Sequence, residues 1–332
     1  MTTKMLTWSD DNELTFLDSG SSESRLTSLS LKNNHLDSLD VSPYTGLRYL
    51  DVDENQLLTV TGLANLHRLD VLSMRKQSLL KGASLKVFEE AIHARSLYIS
   101  SNTIASLDMP HSYHSVQHLE LAGCGLQDMP ADLGLKLPNL RTLNLSFNAI
   151  KDLRALLNIP RLQEVYVSGN RISRLRKTIA TLARMQHLRK FDARDNPITI
   201  GFYAPTATAA ALATADEQSL IRSSGACEIE PESEMQIQRR AAKAYMLRTA
   251  DLTADNEHCA RLDESAKLRR RVYELLLSQS SESLERLDGL AFDRSRVVRR
   301  DETWDRLVEI GVMRKSQSGG ARVSTPVCEL EV

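Results

Sequence analysis

An apolar frame with an asparagine inside it recurs along the N-terminal part of the chain. The frame reads L-x-x-L-x-L-x-x-N-x-L, and it begins at Leu26, Leu47, Leu69, Ala94, Val116, Leu140, Leu162 and Leu188. Successive starts are 21, 22, 25, 22, 24, 22 and 26 residues apart. A chain with this period forms one coil per repeat, and no coil can bury its own apolar face. The chain is therefore constrained to fold as a stack of coils.

The centre of each frame, L-x-L, predicts a short strand. Its two leucines face the core, and the residue between them faces outward. Strands of successive coils pair in parallel on a concave face, while 3₁₀ turns or short helices connect them on the convex face. Leucine-rich repeats have this period and pattern. We therefore predict an α/β fold, a right-handed leucine-rich-repeat solenoid with a helical C-terminal cap.

The asparagine of the frame has a structural explanation. Just after each strand the chain turns inward and buries backbone groups that strand pairing leaves unsatisfied, at a cost of about 1–3 kcal/mol each. A side-chain amide both donates and accepts hydrogen bonds, so it can satisfy such groups. We predict a structural asparagine ladder that consists of Asn34, Asn55, Asn102, Asn148, Asn170 and Asn196.

The ends of the array differ from its middle. A degenerate copy precedes the first frame, with Asn12 in phase but polar residues at the strand positions. A segment rich in Ala, Thr, Ser and acidic residues follows the last frame and predicts a mobile insertion. We assign residues 1–203 to eight clear repeats and one degenerate repeat, 204–235 to the insertion, 236–313 to the cap and 314–332 to a disordered tail.

Helical periodicity marks the cap and one connector. The segment ESAKLRRRVYELLLSQ carries an apolar stripe made of Leu268, Val272, Leu275 and Leu276. An open solenoid end exposes leucines, so we expect this stripe to cover the end of the array. In DETWDRLVEIG, Asp301 and Gly311 are expected to cap a final helix. The long third connector, KGASLKVFEEAIHA, also predicts a helix.

Four segments of the C-terminal part resemble a known family. FDARDNPITIGFY, LRRRVYELLL, LERLDGLAFDRSRV and DETWDRLVEIGV are similar, in this order, to the leucine-rich-repeat region of a scaffold of the fungal spindle pole body. That scaffold supports the septation initiation (mitotic exit) network, and animal centriolin is a more distant relative. The resemblance implies a non-enzymatic anchor for a GTPase–kinase cascade. Family members also carry a long N-terminal region that recruits kinase components, so this chain is either a fragment or lacks that role.

The composition gives no reason to expect a catalytic, metal-binding or membrane protein. The chain contains no Walker loop, GxGxxG, HExxH or GxSxG motif, and its eight histidines lack metal-ligand spacing. We expect no cofactor, no metal and no small-molecule substrate. The net charge of −1 gives no general attraction to nucleic acid or to a membrane. Four scattered cysteines favour a reducing compartment, and we expect the cytoplasm, the cytoskeleton and the spindle pole body.

The outward strand residues predict a protein-binding concave face. Its candidate residues are Tyr49, Asp51, Asp53, Arg75, Tyr98, His118, Glu120, Tyr166, Lys190 and Arg194. We expect the aromatic residues near the middle to dominate binding, because tyrosine buries much area with little rotamer loss. Acidic residues of the first repeats and basic residues of the last should steer association. The alternative is a merely solvated sheet.

A basic segment is the second candidate surface. Residues 171–194 carry eight Lys or Arg side chains and one acidic residue, Asp192. Such a segment can attract an acidic or phosphorylated partner, although a solvated convex helix is an equally good interpretation. Together these features predict a non-catalytic scaffold that anchors network components at the spindle pole body: an anchor protein and GTPase-regulating or kinase components. The alternative function is a regulatory subunit of a serine/threonine phosphatase.

Overall fold

The computed structural model describes residues 4–7, 26–77, 90–104, 107, 109–204 and 250–313. These residues form one sheet of eleven strands, whose order in the sheet is their order in the chain. The strands are β1 (Lys4–Thr7), β2 (Leu26–Ser30), β3 (Tyr49–Asp51), β4 (Val71–Ser73), β5 (Ser96–Tyr98), β6 (His118–Glu120), β7 (Thr142–Asn144), β8 (Glu164–Tyr166), β9 (Lys190–Asp192), β10 (Arg286–Leu287) and β11 (Leu290–Ala291). Neighbours from β1 to β10 pair in parallel, and β11 is antiparallel to β10.

The apolar frame places one core side chain at the centre of every repeat strand. These central residues lie in register from strand to strand: Leu29, Leu50, Leu72, Leu97, Leu119, Leu143, Val165 and Phe191. All of them are buried in one continuous core. Each coil thus covers the apolar face of the next. The predicted leucine-rich-repeat solenoid is confirmed.

The convex side consists of short connectors. They include 3₁₀ turns at Leu63–Asn65, Arg154–Asn158 and Pro197–Thr199, and helices α1 (Leu133–Lys136) and α2 (Leu175–Leu182). Gly62 precedes the first turn with φ of 84°, and a Cβ atom there would lie 2.5 Å from the backbone nitrogen of Ser42. Only glycine fits this close approach between adjacent coils.

A helical unit follows the last repeat. It contains α3 (Leu252–Arg261), α4 (Glu264–Ser280), α5 (Arg294–Val297) and α6 (Glu302–Glu309). An aspartate side chain caps the first turn of each of these helices: Asp251, Asp263, Asp293 and Asp301. Such caps satisfy backbone N–H groups that have no partner inside the helix. Gly311, with φ of 76°, ends α6.

A hairpin joins this unit to the array. Strand β10 pairs with β9, and the turn Asp288–Gly289 leads to β11. Both turn residues have positive φ, 51° and 83°, as a two-residue hairpin with matching twist requires. The hairpin therefore extends the solenoid sheet by one parallel strand and then reverses the chain.

Two faces of helix α4 pack in different hydrophobic clusters, whereas its apolar stripe was expected to pack against the array. Val272 and Leu275 pack in a separate cluster with Trp304 and Leu307 of α6. The side chains that join the core of the array are instead Tyr273 and Leu277. The stripe was expected to cover the array because an open solenoid end exposes leucines. In the structure it holds the cap together, and a tyrosine face makes the contact with the repeats.

Asp288 ties the cap to the last repeat. Its carboxylate accepts hydrogen bonds from the hydroxyls of Tyr203 at 2.7 Å and Tyr273 at 2.9 Å, and from the backbone N–H of Ala193 at 2.7 Å. Burial and the nearby Asp192 carboxylate raise the pKa of Asp288 to about 7, although the three donors oppose this shift. A polar contact buried in this way is costly when broken.

Several expectations lie outside the described residues. They concern the third-connector helix within 78–89, the insertion and the start of the cap within 205–249, and the tail beyond 313. The domain boundaries therefore remain predictions, although Lys4–Thr7 does form a strand where the degenerate repeat was expected. In the part of the chain that the structure describes, no helix is both long and apolar enough to cross a membrane.

Candidate binding site on the concave face

Strand register brings the outward residues of successive repeats into columns on the concave face. The first column is Tyr49, Val71, Ser96, His118, Thr142, Glu164 and Lys190. The second is Asp51, Ser73, Tyr98, Glu120, Asn144, Tyr166 and Asp192. Asp53, Arg75 and Arg194 follow the strands by two residues. The ten predicted residues thus share one face, but most of them belong to two separate polar clusters and a small apolar patch.

The first cluster is an ion-pair network centred on Arg75. Its guanidinium binds both carboxylate oxygens of Glu120, with Nε–Oε1 of 2.8 Å and Nη2–Oε2 of 3.0 Å. Asp53 lies 3.8 Å from Nη1 of the same guanidinium, and its Oδ1 accepts the backbone N–H of Arg75 at 2.7 Å. The hydroxyls of Ser73 and Ser100 donate to Asp53 and Glu120, each at 2.7 Å. All three charged side chains are buried.

An apolar patch adjoins this network. Tyr49, Val71 and Tyr98 form a small buried cluster of their own on the concave face. The guanidinium carbon of Arg75 lies 4.6 Å from the centre of the Tyr98 ring, a distance typical of a cation–π contact. Only 7% of Tyr98 is exposed. Tyr98 was expected to be a central partner contact, but it is packed within the protein itself.

Burial sets the electrostatics of the first cluster. It raises the pKa of Glu120 against the opposing effect of Arg75, and it raises the pKa of Asp53 in the same way. Burial and the Asp53 carboxylate raise the pKa of Asp51 to about 7. The cluster therefore holds more acid groups than its single guanidinium can compensate. At neutral pH the first repeats carry less negative charge than their formal count indicates.

The second cluster lies on the last repeats. Lys190 binds Glu164 at 2.7 Å, and the hydroxyl of Tyr166 donates to the same carboxylate at 3.0 Å. Arg194 and Asp192 form a buried pair in which Nη2 lies 2.6 Å from Oδ2. Both basic residues expected to steer a partner are therefore neutralised by an acidic neighbour. The predicted separation of acidic and basic ends is wrong in this respect.

An accessible strip crosses β6 to β9. His118, Thr142, Glu164, Tyr166 and Lys190 are each half-buried, so part of every side chain faces solvent. Burial lowers the pKa of His118, which favours the neutral imidazole. A mixed surface of this kind, with one tyrosine among small and charged groups, is typical of protein-binding patches. We refer to these five residues as the concave strip.

The polar partners that make the first cluster internal were not predicted from the sequence. Ser73 and Ser100 supply these hydrogen bonds, but no role was predicted for their side chains. The available hint was the column formed by the residues two positions after each strand, where Asp53 and Arg75 of opposite charge belong to consecutive repeats. Consecutive positions of one column lie about 4.8 Å apart, close enough for an ion pair.

The frame asparagines lie between adjacent coils. The side-chain nitrogen of Asn148 donates to the carbonyl oxygens of Leu121 at 2.8 Å and Leu145 at 2.9 Å, and its oxygen accepts the backbone N–H groups of Cys124 and Leu126, each at 3.0 Å. Hydrogen bonds of the same kind across adjacent coils are made by Asn55, Asn102, Asn170 and Asn196, and Asn34 donates to Leu31 of its own coil. Their amides thus bond to backbone groups and not to the concave surface.

No metal-binding group stands out in the described segments. Across these residues, no cluster of three or more His, Cys, Asp or Glu side chains has the arrangement needed to hold a metal ion. Cys124 is buried and Cys259 half-buried, and both are free thiols.

Comparison with known proteins agrees with this fold. A family model for leucine-rich repeats matches residues 114–172. Human 5T4, the trophoblast glycoprotein, has 21% sequence identity and a TM-score of 0.47, over 56% of this chain and 74% of that chain. A leucine-rich-repeat protein of Leptospira interrogans has 21% identity and a TM-score of 0.44, over 63% of this chain and 49% of that chain. The family match and the sheet described above agree on a leucine-rich-repeat fold.

A more specific match comes from a curated relative. Over 165 residues the chain is 34% identical to the septation initiation network scaffold protein cdc11 of Schizosaccharomyces pombe. The alignment covers 50% of this chain and 16% of the yeast protein, so the chain spans a small part of its relative's length. The resemblance to a septation scaffold is confirmed by this match.

Proposed function

We propose that this chain is a non-catalytic protein-interaction scaffold that anchors signalling components of the septation, or mitotic exit, network at the spindle pole body. The observation that carries the proposal is the similarity to the septation initiation network scaffold over half of the chain. An anchor protein of the spindle pole body and GTPase-regulating or kinase components are the partners we propose.

The concave strip is the surface that we assign to partner binding. Five half-buried side chains lie side by side on adjacent strands, on a backbone that the stacked repeats hold rigid. A rigid platform loses little conformational entropy on binding, which favours affinity. The strip spans four strands, about 14 Å across, which suits one helix or one extended segment of a partner. We expect Tyr166 to contribute most to affinity, since tyrosine is enriched among dominant interface residues.

Location and binding partners test the proposal together. The tagged full chain should form one or two dots in dividing S. pombe cells through mitosis, and mitotic pull-downs analysed by mass spectrometry should recover network components. Reversing the charges of Glu164 and Lys190 together should reduce recovery of the concave partner. Diffuse signal with recovery of a serine/threonine phosphatase would contradict the scaffold and favour the alternative regulatory-subunit function.

A matched control separates the strip from general surface charge. Arg154 and Asp152 form an exposed ion pair on a connector, with Nε–Oδ2 of 2.8 Å. Reversing both of these charges makes the same formal change away from the strip. Recovery of the partner should be unaffected in this control. Equal losses in the two variants would exclude the concave strip as the contact surface.

A further inference from the structure

A basic cleft lies on the edge of the solenoid where strands β3, β4 and β5 begin, away from the concave strip. Its volume is about 410 Å³, and it is lined by Arg48, His67, Arg68, Asp70, His93 and Arg95, with Leu69 and Ser115. Repeat geometry creates it: Arg48, Asp70 and Arg95 each stand directly before a strand. Their side chains therefore line up on the same edge in consecutive coils.

The cleft carries an excess of positive charge. Asp70 is the single acidic residue of its lining, against three guanidinium groups. Its carboxylate binds Arg48 at 2.7 Å and lies 3.5 Å from Nε of Arg95. Arg68 is exposed and forms no ion pair within the described residues. One carboxylate therefore orients two of the three guanidinium groups and leaves a net charge of +2.

Two imidazoles form one wall of the cleft. Nδ1 of His67 and Nε2 of His93 share a hydrogen bond of 3.0 Å, and the rings meet edge to face with centroids 4.5 Å apart. This contact fixes the orientation of both rings. The other nitrogen of each ring can then donate to or accept from a ligand.

We propose that this cleft binds the phosphate group of a phosphorylated serine or threonine on a partner protein. A phosphoserine carries a charge of about −1.5 to −2 at neutral pH, which matches the excess of the cleft, and its three oxygens suit several guanidinium donors. The groups surround one compact cleft instead of following a stripe, and the whole chain has a net charge of −1. Both facts favour a single dianion over a polyanionic nucleic acid or a membrane surface.

The test uses the full chain and three kinds of probe, of which the third is vesicles that contain phosphoinositides. The first set is a degenerate peptide library centred on phosphoserine and the same library with unmodified serine. Binding is followed by fluorescence anisotropy, and we expect a preference of about tenfold or more for the phosphorylated library. The second probe is inorganic phosphate, which should shift the imidazole NMR resonances of His67 and His93.

A double variant and a matched control locate the site. Arg68→Ala with Arg95→Ala should reduce binding of the phosphorylated library about tenfold. Arg171→Ala with Arg184→Ala removes the same charge from exposed residues of the basic segment and should leave binding within about twofold, since charge pairs beyond a Debye length are screened. Melting temperatures should stay equal in both variants, because all four side chains are exposed.

Four results would overturn the proposal. Equal binding of the two libraries would show that phosphate is not recognised. An equal loss in the control variant would show attraction by general charge and not by the cleft. Binding to phosphoinositide-containing vesicles without binding to the phosphorylated library would identify a membrane surface as the ligand. Binding of the phosphorylated library without any shift of the His67 and His93 resonances on addition of inorganic phosphate would place the peptide elsewhere.

Discussion

Arg75 and Glu120 form a bidentate ion pair across strand β5, with both donor–acceptor distances between 2.8 and 3.0 Å. They are 45 residues apart in the chain and belong to coils that are not adjacent. The pair therefore links three successive repeats by side chains alone. The ion pair is buried, and the hydroxyls of Ser73 and Ser100 complete the hydrogen bonds of its network. The pair is therefore part of the structure of the concave face.

Removing one partner of this pair should destabilise the fold strongly. Arg75→Ala leaves Glu120 and Asp53 buried without a cation, so we expect the free energy of unfolding to fall by about 3–5 kcal/mol. Urea unfolding measures the change. Arg154→Ala, which breaks an exposed pair with Asp152, should cost less than about 1 kcal/mol. Similar losses in the two variants would show that the Arg75 network contributes no more than a surface pair.

Tyr98 and Tyr166 should respond differently to truncation although they occupy the same column. Tyr98→Ala removes a buried ring, so it should lower stability by about 3–5 kcal/mol. Tyr166→Ala should weaken affinity for the concave partner by about 2 kcal/mol while stability changes little. Melting curves and titration with the recovered partner separate the two effects. Unchanged affinity in the Tyr166 variant would move the interface to residues 171–189 or to the cap.

Removal of an asparagine from the ladder should lower the stability of the fold without a specific defect in partner binding. Asn148→Ala leaves three carbonyls and two N–H groups without their side-chain partner, which should cost about 1–3 kcal/mol. Asn158→Ala is the control, because its exposed amide makes one 3.3 Å hydrogen bond to Ala131. Lost partner binding at unchanged stability would instead identify Asn148 as a contact residue.

The raised pKa of Asp288 predicts that the stability of the fold depends on pH. Its pKa is raised from 3.8 to about 7 in the folded protein, so the folded state binds more protons than the unfolded state between these values. The stabilisation of the fold that comes from the protonated Asp288 side chain is therefore complete below about pH 4, and it is lost as the pH rises towards 7. Asp288→Asn should therefore reduce the fall in unfolding free energy between pH 5 and pH 7. Urea unfolding at several pH values measures this slope.

An exposed aspartate provides the comparison for that slope. Asp305→Asn removes a carboxylate from the solvent-facing side of α6. We expect the pH dependence of this variant to match that of the parent chain. If Asp288→Asn leaves the slope unchanged as well, the carboxyl group of Asp288 is ionised in the folded protein throughout this range.

The cap should be required for folding of the array. Truncation after Tyr203 removes β10 and the side chains of Tyr273 and Leu277 that join the core of the repeats. Exposed apolar surface at a solenoid end causes aggregation, so size-exclusion chromatography should show aggregated or loosened protein. Deletion of residues 206–232 is the control and should cost less than about 1 kcal/mol, since loop length affects stability weakly. A monomeric truncated chain that melts like the parent would contradict the assignment of the cap.

The repeat architecture was predictable because it depends on local pattern. Each frame specifies which side chains of a strand face inward, and the 21 to 26 residue spacing specifies one coil per frame. The caps of α6 were predictable for the same reason. Asp301 and Gly311 act within one turn of α6, so the local sequence was enough to predict their role, although Arg271 of α4 also binds the Asp301 carboxylate.

The character of the concave face could not be read from the sequence. The frame places Tyr98, Arg75 and Glu120 on that face, but their exposure depends on side chains two coils away and on which rotamers bring opposite charges together. Residues of adjacent coils approach one another only after the sheet has formed. Of the ten candidate contact residues, some therefore lie in a buried ion-pair network and others in the smaller accessible strip.

The sequence by itself determined the stack of coils, because an apolar face repeated at a fixed period can be buried only against its neighbours. The tertiary structure alone decided which face of α4 meets the array and which carboxylates are paired. An apolar stripe can pack against any apolar partner of suitable shape. In this structure the stripe of α4 packs against α6, and the face that carries Tyr273 packs against the repeats. Asp288 likewise acquired its raised pKa from Asp192 and from burial against residues far away in the chain, an environment that only packing creates.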